Sequence, residues 1–223
     1  MGQKINPQSF RLPISKNWRS KWFSKREYAK NILEDLQIRK AVFKKHNKSA
    51  AISSIEILRD HEKITVNIYT AKPGILIGRS GQGINDLKNF ILKNVPYYKV
   101  LNSKDLPKLK LEIIEVKNFE TKAQLISENI ALQLEKRIPY KRAVKQAIMK
   151  ATEKGVKGVK IQVSGRLGGS EIARSEKYGE NSIPLGKLRA EIDYGYATAF
   201  TTYGTVGIKT WIYTGDKIIE EKK

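Results

Sequence analysis

The sequence predicts an α+β protein built as two consecutive units, and three observations carry that reading. Residues 52–70 hold two runs in which apolar and polar side chains alternate, the mark of strands with one buried face. A glycine-punctuated joint between two helical patterns follows at 73–91. From about Thr121, two helical patterns come first and strands come after, an order that lays helices on an antiparallel sheet.

The first 20 residues read as a basic arm carrying Trp18, with Trp22 and Phe23 just beyond. Helical spacing begins near Lys25, where Tyr28, Ile32, Leu36 and Phe43 fall on one apolar face at steps of four and seven. In "SSIEILR" Ile55 and Ile57 share a strand face, and in "KITVNIYT" Ile64, Val66 and Ile68 do the same. Pro73 opens a short helix, at a position where its missing N–H does no harm, and Gly78 and Gly81 end it. Ile84, Leu87 and Ile91 give the next helix its buried stripe. After Pro96 an irregular Lys-rich stretch leads into "KLKLEIIEV", a strand in which Leu109, Leu111 and Ile113 alternate.

In the second unit Ile126, Ile130, Leu134 and Ile138 step by four along a helix that Pro139 interrupts. Another helix runs from Tyr140 to Glu153 and is closed by Gly155. Val159, Ile161 and Val163 alternate as a strand, as do Leu188, Ala190 and Ile192, and "GIKTWIY" forms the last one.

Composition narrows the partner. Forty-three Lys and Arg oppose 22 Asp and Glu among 223 residues, a formal net charge of +21. Such an excess makes a compact chain repel itself, and a polyanion relieves it. The excess is uneven: +10 over residues 1–50, +3 over 51–120 and +8 over 121–223. With no cysteine, disulfides, thiolate metal sites and cysteine nucleophiles are excluded. No apolar run approaches the roughly 18 residues that a membrane span needs. The start "MGQKINPQSFRL" lacks the apolar centre of a secretory signal, and Asn6 stands where myristoylation wants Ser or Thr. The expected place is the cytosol, or the interior of an organelle that makes its own protein.

Catalytic readings fail one by one. A dinucleotide fingerprint needs G-x-G-x-x-G directly after a strand, whereas Gly78, Gly81 and Gly83 are spaced G-x-x-G-x-G after a helix. In "GENSIPLGK" six residues separate Gly179 from Gly186 and Leu188 follows the lysine, so it is no phosphate loop. His46 and His61 stand apart from any ligand cluster, and there is no nucleophile elbow. No enzyme activity, catalytic residue, metal or cofactor is expected.

RNA fits what remains. Gly78, Arg79, Ser80 and Gly81 join two helices beside a strand, so a phosphate backbone can approach bare N–H groups while Arg79 adds charge and Ser80 a hydroxyl. This is the arrangement of a KH domain, whose glycine loop clamps about four nucleotides. A denser feature lies further on. Between Lys136 and Arg166 there are ten Lys or Arg and one acid, Glu153. Lys136 and Arg137 precede the second helix, on which Lys141, Arg142 and Lys145 are neighbours at steps of three and four. Like charges at that spacing disfavour a helix, so the cluster reads as a surface that tracks phosphates. "SGRLGGSEIARSEKYGE" sets Arg166, Arg174 and Lys177 on an expected Gly-rich turn.

Five segments, "MGQKINP", "TAKPGILIGRSGQGI", "VSGRLGGSEIAR", "LRAEIDYG" and "TTYGTVGIKTWIY", resemble in order the bacterial-type small-subunit ribosomal protein three family. The resemblance implies a type II KH domain followed by a two-helix plus antiparallel-sheet C-terminal domain. It implies a basic arm and helix over 1–38 packed on the C-terminal domain, the KH domain over 39–118, the C-terminal domain over 119–216 and a charged tail over 217–223. It further implies binding to small-subunit rRNA in the lower head and contact with mRNA at its entrance path, where Lys141, Arg142 and Lys145 match the family's basic cluster. Neighbours would be small-subunit proteins ten and fourteen, with no membrane, cofactor or small-molecule substrate. Residues 97–108 look longer than the family's usual link, and Lys141 stands where the family often has Arg.

Overall fold

A computed structural model describes residues 4–46, 48–60, 63–95, 98 and 108–217. The first three residues, His61, the tail from 218 and all of the 97–108 link except Tyr98 and Lys108 lie outside them. The chain divides into two units, Trp18–Lys117 and a second one that combines residues 4–17 with 118–217.

In the unit Trp18–Lys117, four strands run in the order β1-β2-β3-β4. They are β1 (Ser20–Lys21), β2 (Ile52–Arg59), β3 (Lys63–Thr70) and β4 (Lys108–Glu115). β2 and β3 are antiparallel with Ile57 opposite Val66, while β4 joins β3 in parallel. Helices α2 (Tyr28–Lys45), α3 (Pro73–Ile77) and α4 (Gln82–Asn94) supply the rest. Ile38, Val42, Leu76, Leu87 and Ile91 close over Ile55, Ile57, Val66 and Ile68, all buried as the alternation requires. This helix–strand–strand–helix–helix–strand order is the type II KH arrangement.

α2 is turned away from the apolar stripe that its spacing suggested. Tyr28, Ile32, Leu36 and Phe43 are exposed, and the buried face is Glu34, Asp35, Ile38, Ala41 and Val42. The physical reason is Arg59 at the end of β2. Its guanidinium bonds Glu34 Oε2 at 2.7 Å and Asp35 Oδ1 at 2.7 Å, and Trp22 Nε1 donates to Asp35 Oδ2 at 2.9 Å. A buried network of this kind fixes rotation about the helix axis, since leaving any member unpaired is costly. The expected boundary at residue 38 therefore falls inside α2, whose Ile38, Ala41 and Val42 belong to the KH core.

The other unit has the sheet order β6-β5-β8-β7, antiparallel throughout. Its strands are β5 (Gly158–Gly165), β6 (Arg174–Glu180), β7 (Ala190–Thr201) and β8 (Gly204–Asp216). Helices α5 (Ala123–Glu135) and α6 (Tyr140–Glu153) cover one face, packing Ile130, Val144 and Ile148 on Val159, Ile161, Val163, Ile208 and Ile212. Asp193 seats α5 by accepting from Ala123 N at 2.8 Å, and Gly195 lets it in, since a Cβ there would lie 2.3 Å from the Ala123 carbonyl. The arm, with the short helix α1 (Pro7–Phe10), is held by fully buried Arg11. That guanidinium donates to the carbonyls of Pro7, Leu185, Lys187 and Ala190 at 2.7–3.0 Å.

Candidate nucleic-acid interface

The glycine loop is built by three glycines with different duties. Gly78 (φ +68) and Gly81 (φ +77) sit in the left-handed region that side chains disfavour. Gly83, on the first turn of α4, has an ordinary φ, yet a Cβ there would lie 2.6 Å from Leu76 O and 2.8 Å from Ile77 O. Contact distance between α3 and α4 thus depends on a glycine that lies outside the four-residue loop 78–81. Arg79 and Ser80 are exposed, Ser80 itself at φ +50, and Ile75 and Ile77 present partly exposed apolar surface beside them. The result is an open main-chain platform edged by one cation and two aliphatic side chains.

The larger basic surface lies on the helical side of the other unit. α5 ends in a Schellman motif, with Arg137 N donating to Leu134 O at 2.9 Å and Ile138 N to Gln133 O at 3.0 Å. Its left-handed residue is Arg137 (φ +63), where α6 uses Gly155 (φ +79) for the same closure. Lys136 and Arg137 are exposed at this joint, and Lys141, Arg142 and Lys145 are exposed on α6 opposite its buried Ala143, Val144, Ile148 and Ala151. Among the described residues no carboxylate comes within ion-pairing distance of these five cations. Glu176, the acid whose field meets Lys141, is occupied: Tyr178 donates to one oxygen and Tyr140 to the other at 3.1 Å. Those bonds, with Lys141 and Arg174 nearby, hold its carboxyl below the usual range.

Arg166, Arg174 and Lys177 do not form one cluster on a turn. Arg174–Glu180 is an edge strand, β6, paired with β5 from Gly165↔Arg174 to Val159↔Glu180. It escapes an alternation search because its helix-side positions carry Glu176 and Tyr178 in place of aliphatic residues. Pleating then sends Arg174 to the helix side and Lys177 to the opposite face. Arg166 is committed internally, its Nε donating to Ser170 O at 2.9 Å and Nη1 to Tyr203 O at 3.0 Å.

The outward sheet face carries a second set of cations, only Lys177 of which was anticipated. One row across β6, β5, β8 and β7 reads Lys177, Gln162, Lys209, Tyr196. The next reads Ser175, Ser164, Gly207, Thr198, tied by Ser164–Ser175 at 3.0 Å and Thr198–Tyr196 at 3.1 Å. Lys160 and Lys4 both sit about 6 Å from the Trp211 ring centre. Contact with Lys4, then burial and Lys177, pushes Lys160 below the ordinary lysine value. Glu176, Glu180 and Asp193 lie at helix-side positions, and Asp216, opposite Ala190 at the end of β8, is engaged by Lys187 and by Tyr213 OH at 2.9 Å, so the rows of Lys177 and Ser175 carry no acid. The signal was present: Lys160, Gln162 and Ser164 alternate with the buried Val159, Ile161 and Val163.

Comparison with known proteins matches this geometry. Residues 37–121 fit the KH domain family, and residues 130–212 fit the family described as ribosomal protein S3, C-terminal domain. The chain is 50% identical, over its full length and 96% of the relative's, to small ribosomal subunit protein uS3 of Clostridium botulinum (strain Okra / Type B1). The protein belongs to the uS3 family. It is 51% identical to the Clostridium kluyveri uS3 (strain ATCC 8527) over the same shares of both chains. As a bacterial-type uS3, it is a structural protein of the small ribosomal subunit with an RNA-binding KH domain. Against the uS3 framework, the two basic surfaces lie on opposite sides of one two-layer domain, and the glycine loop lies in the other.

Proposed function

We propose that the C-terminal domain holds two RNAs at once, rRNA on its outward sheet face and mRNA on its helical face. The observation that carries this reading is charge segregation. Among the described residues, the sheet rows Lys177–Gln162–Lys209–Tyr196 and Ser175–Ser164–Gly207–Thr198 hold no carboxylate, and none comes within ion-pairing distance of Lys136, Arg137, Lys141, Arg142 and Lys145. The outward face, where it carries Lys160, Lys177 and Lys209, suits the backbone of an rRNA helix in the lower head of the subunit, where shape and phosphates are what a protein reads. The α6 cluster takes phosphates of the incoming mRNA at its entrance path and helps to open structured messages, a role that is electrostatic and mechanical. The KH loop, through Gly78, Arg79, Ser80 and Gly81, adds a single-strand contact, and Arg174 adds charge beside α6. Small-subunit proteins ten and fourteen are its neighbours, in a cytoplasmic ribosome or that of an organelle that makes its own protein.

The test separates the two faces. Lys141, Arg142 and Lys145 changed together to Ala should leave the protein in small subunits on a sucrose gradient and slow reading through a stable mRNA hairpin. Lys160, Lys177 and Lys209 changed together to Ala should instead release it in a moderate-salt wash. Normal hairpin reading by the first variant, or unchanged salt resistance of the second, would overturn the corresponding assignment.

A further inference from the structure

Where α5 meets α6, a cavity of about 460 Å³ opens beside the mRNA-facing cations. Buried Leu134, Leu167 and Val206 and half-buried Ile138 form its floor. Its walls are Tyr140 and Tyr203, which flank the Gly168–Gly169 turn. The Tyr203 ring lies 3.3 Å from where a Gly169 Cβ would stand, and the Tyr140 ring 4.0 Å from that of Gly168. Tyr203 is nevertheless 61% exposed, so much of its surface is open to a ligand. Charge collects at the mouth. Arg137 is exposed in its left-handed turn, and Arg166 has only Nε and Nη1 bonded, leaving Nη2 without a partner among the described residues. Pro139 and Tyr140 of the lining begin the 14-residue α6, whose N-cap provides no side-chain acceptor for the first amides.

We infer that this cavity receives one unpaired RNA base, stacked on Tyr203, with its phosphate at Arg137 and the first turn of α6. The volume lies within the range of small-ligand sites, and an apolar pocket with a few convergent polar groups at its mouth is their usual form. An aromatic wall suits a base of any sequence, because every base has a π face. Charge complementarity selects RNA over an apolar protein plug: Arg137 and Arg166 outnumber the one lining acid, Glu135, whose Oε1 already accepts from Phe200 N at 3.1 Å, so a plug would cover a mouth of net positive charge without supplying an anion. A base brings its own phosphate. The site also explains why the joint carries Arg137 where a glycine would close the helix more easily. Functionally it would hold the strand by one nucleotide at a time beside Lys141 and Arg142, a pawl against backward slipping.

This inference rests on the reading of α6 as the mRNA surface, and the experiment separates the two. The full chain is titrated with short single-stranded RNA and with a duplex of equal charge, wild type against Tyr203→Ala. Stacking of one base predicts a roughly 5- to 150-fold loss for the single strand and little change for the duplex. An abasic nucleotide scanned along the single strand should cost wild type a similar factor at one position and cost Tyr203→Ala nothing further. Equal binding by the variant, or a flat abasic scan, would overturn the base site. A cross-link in intact subunits from residue 203 to a neighbouring protein, not to RNA, would also overturn it. Failure of the wider reading looks different: Lys141, Arg142 and Lys145 changed to Ala would then bind both RNAs as wild type does.

Discussion

Replacing Arg137 with Gly should make the fold no less stable while weakening RNA binding, an outcome that few surface substitutions would give. Arg137 occupies the left-handed position of the Schellman motif that ends α5, at φ +63. An L-residue there costs about 1–2 kcal/mol relative to glycine. Glycine also loosens the unfolded chain, which takes back about 0.4–1 kcal/mol. The net is a stabilisation of roughly 0–1.5 kcal/mol. The two hydrogen bonds of the motif, from Arg137 N and Ile138 N, use main-chain atoms and survive the change. If Arg137 contacts a phosphate of single-stranded RNA, its loss lowers the slope of log K against log salt by about 0.7. For a wild type contacting eight phosphates of single-stranded RNA that slope would be roughly −5.6. Urea unfolding with peptide-resolved hydrogen exchange over α5 and α6 reads the first quantity, and RNA titration across a salt series reads the second. A destabilised Arg137→Gly protein, or one with unchanged affinity and slope, would refute the reasoning.

Three further outcomes are expected. Gly83→Ala should destabilise the KH unit by about 1–3 kcal/mol by forcing α3 from α4, whereas Gly81→Ala, with nothing within 4 Å, should pay only the left-handed cost of about 1–2 kcal/mol; hydrogen exchange over α3 and α4 distinguishes them, because only the first should loosen both helices. Arg59→Ala should cost about 3–5 kcal/mol by stranding Glu34 and Asp35, and a triple replacement of Arg59, Glu34 and Asp35 by apolar residues of similar volume should recover most of it in the same urea assay. Burial and then the Lys45 ammonium push the His46 imidazole below its ordinary 6.5, so the unfolded chain takes the proton more readily. Its contribution to stability is therefore full above about 6.5 and falls as pH drops toward the folded value, which an NMR titration of the ring should place below 6.5.

Much of the fold was legible because most elements follow a simple period. The strand faces at Ile55, Ile57, Val66 and Ile68, the helix at Tyr140–Glu153 and the glycine joint at 78–81 came directly from spacing. α2 misled because both of its faces carry aliphatic residues, and a buried carboxylate pair fixes which one turns inward. β6 was hidden because an edge strand pairs through its backbone, and RSEKYGE is polar throughout except for the adjacent Tyr178 and Gly179. The candidate site divided along the same line. Lys136 to Lys145 could be read as a cluster because a helix keeps sequence neighbours close. Lys4, Lys160, Lys177 and Lys209 could not, because a sheet gathers its faces from strands far apart in the chain.

By itself, then, the sequence determined the α+β class, the KH loop, the polyanionic partner and the helix-borne cations, since each depends on composition or on residues within a few turns of one another. Only the tertiary structure decided that Arg166 braces a turn, that Gly83 sets the α3–α4 contact and that Arg174 and Lys177 face apart. It also gathered Leu134, Leu167, Tyr203 and Val206 around one cavity. Those outcomes depend on contacts across many residues of chain, and pleat, register and packing fix them where no local pattern can.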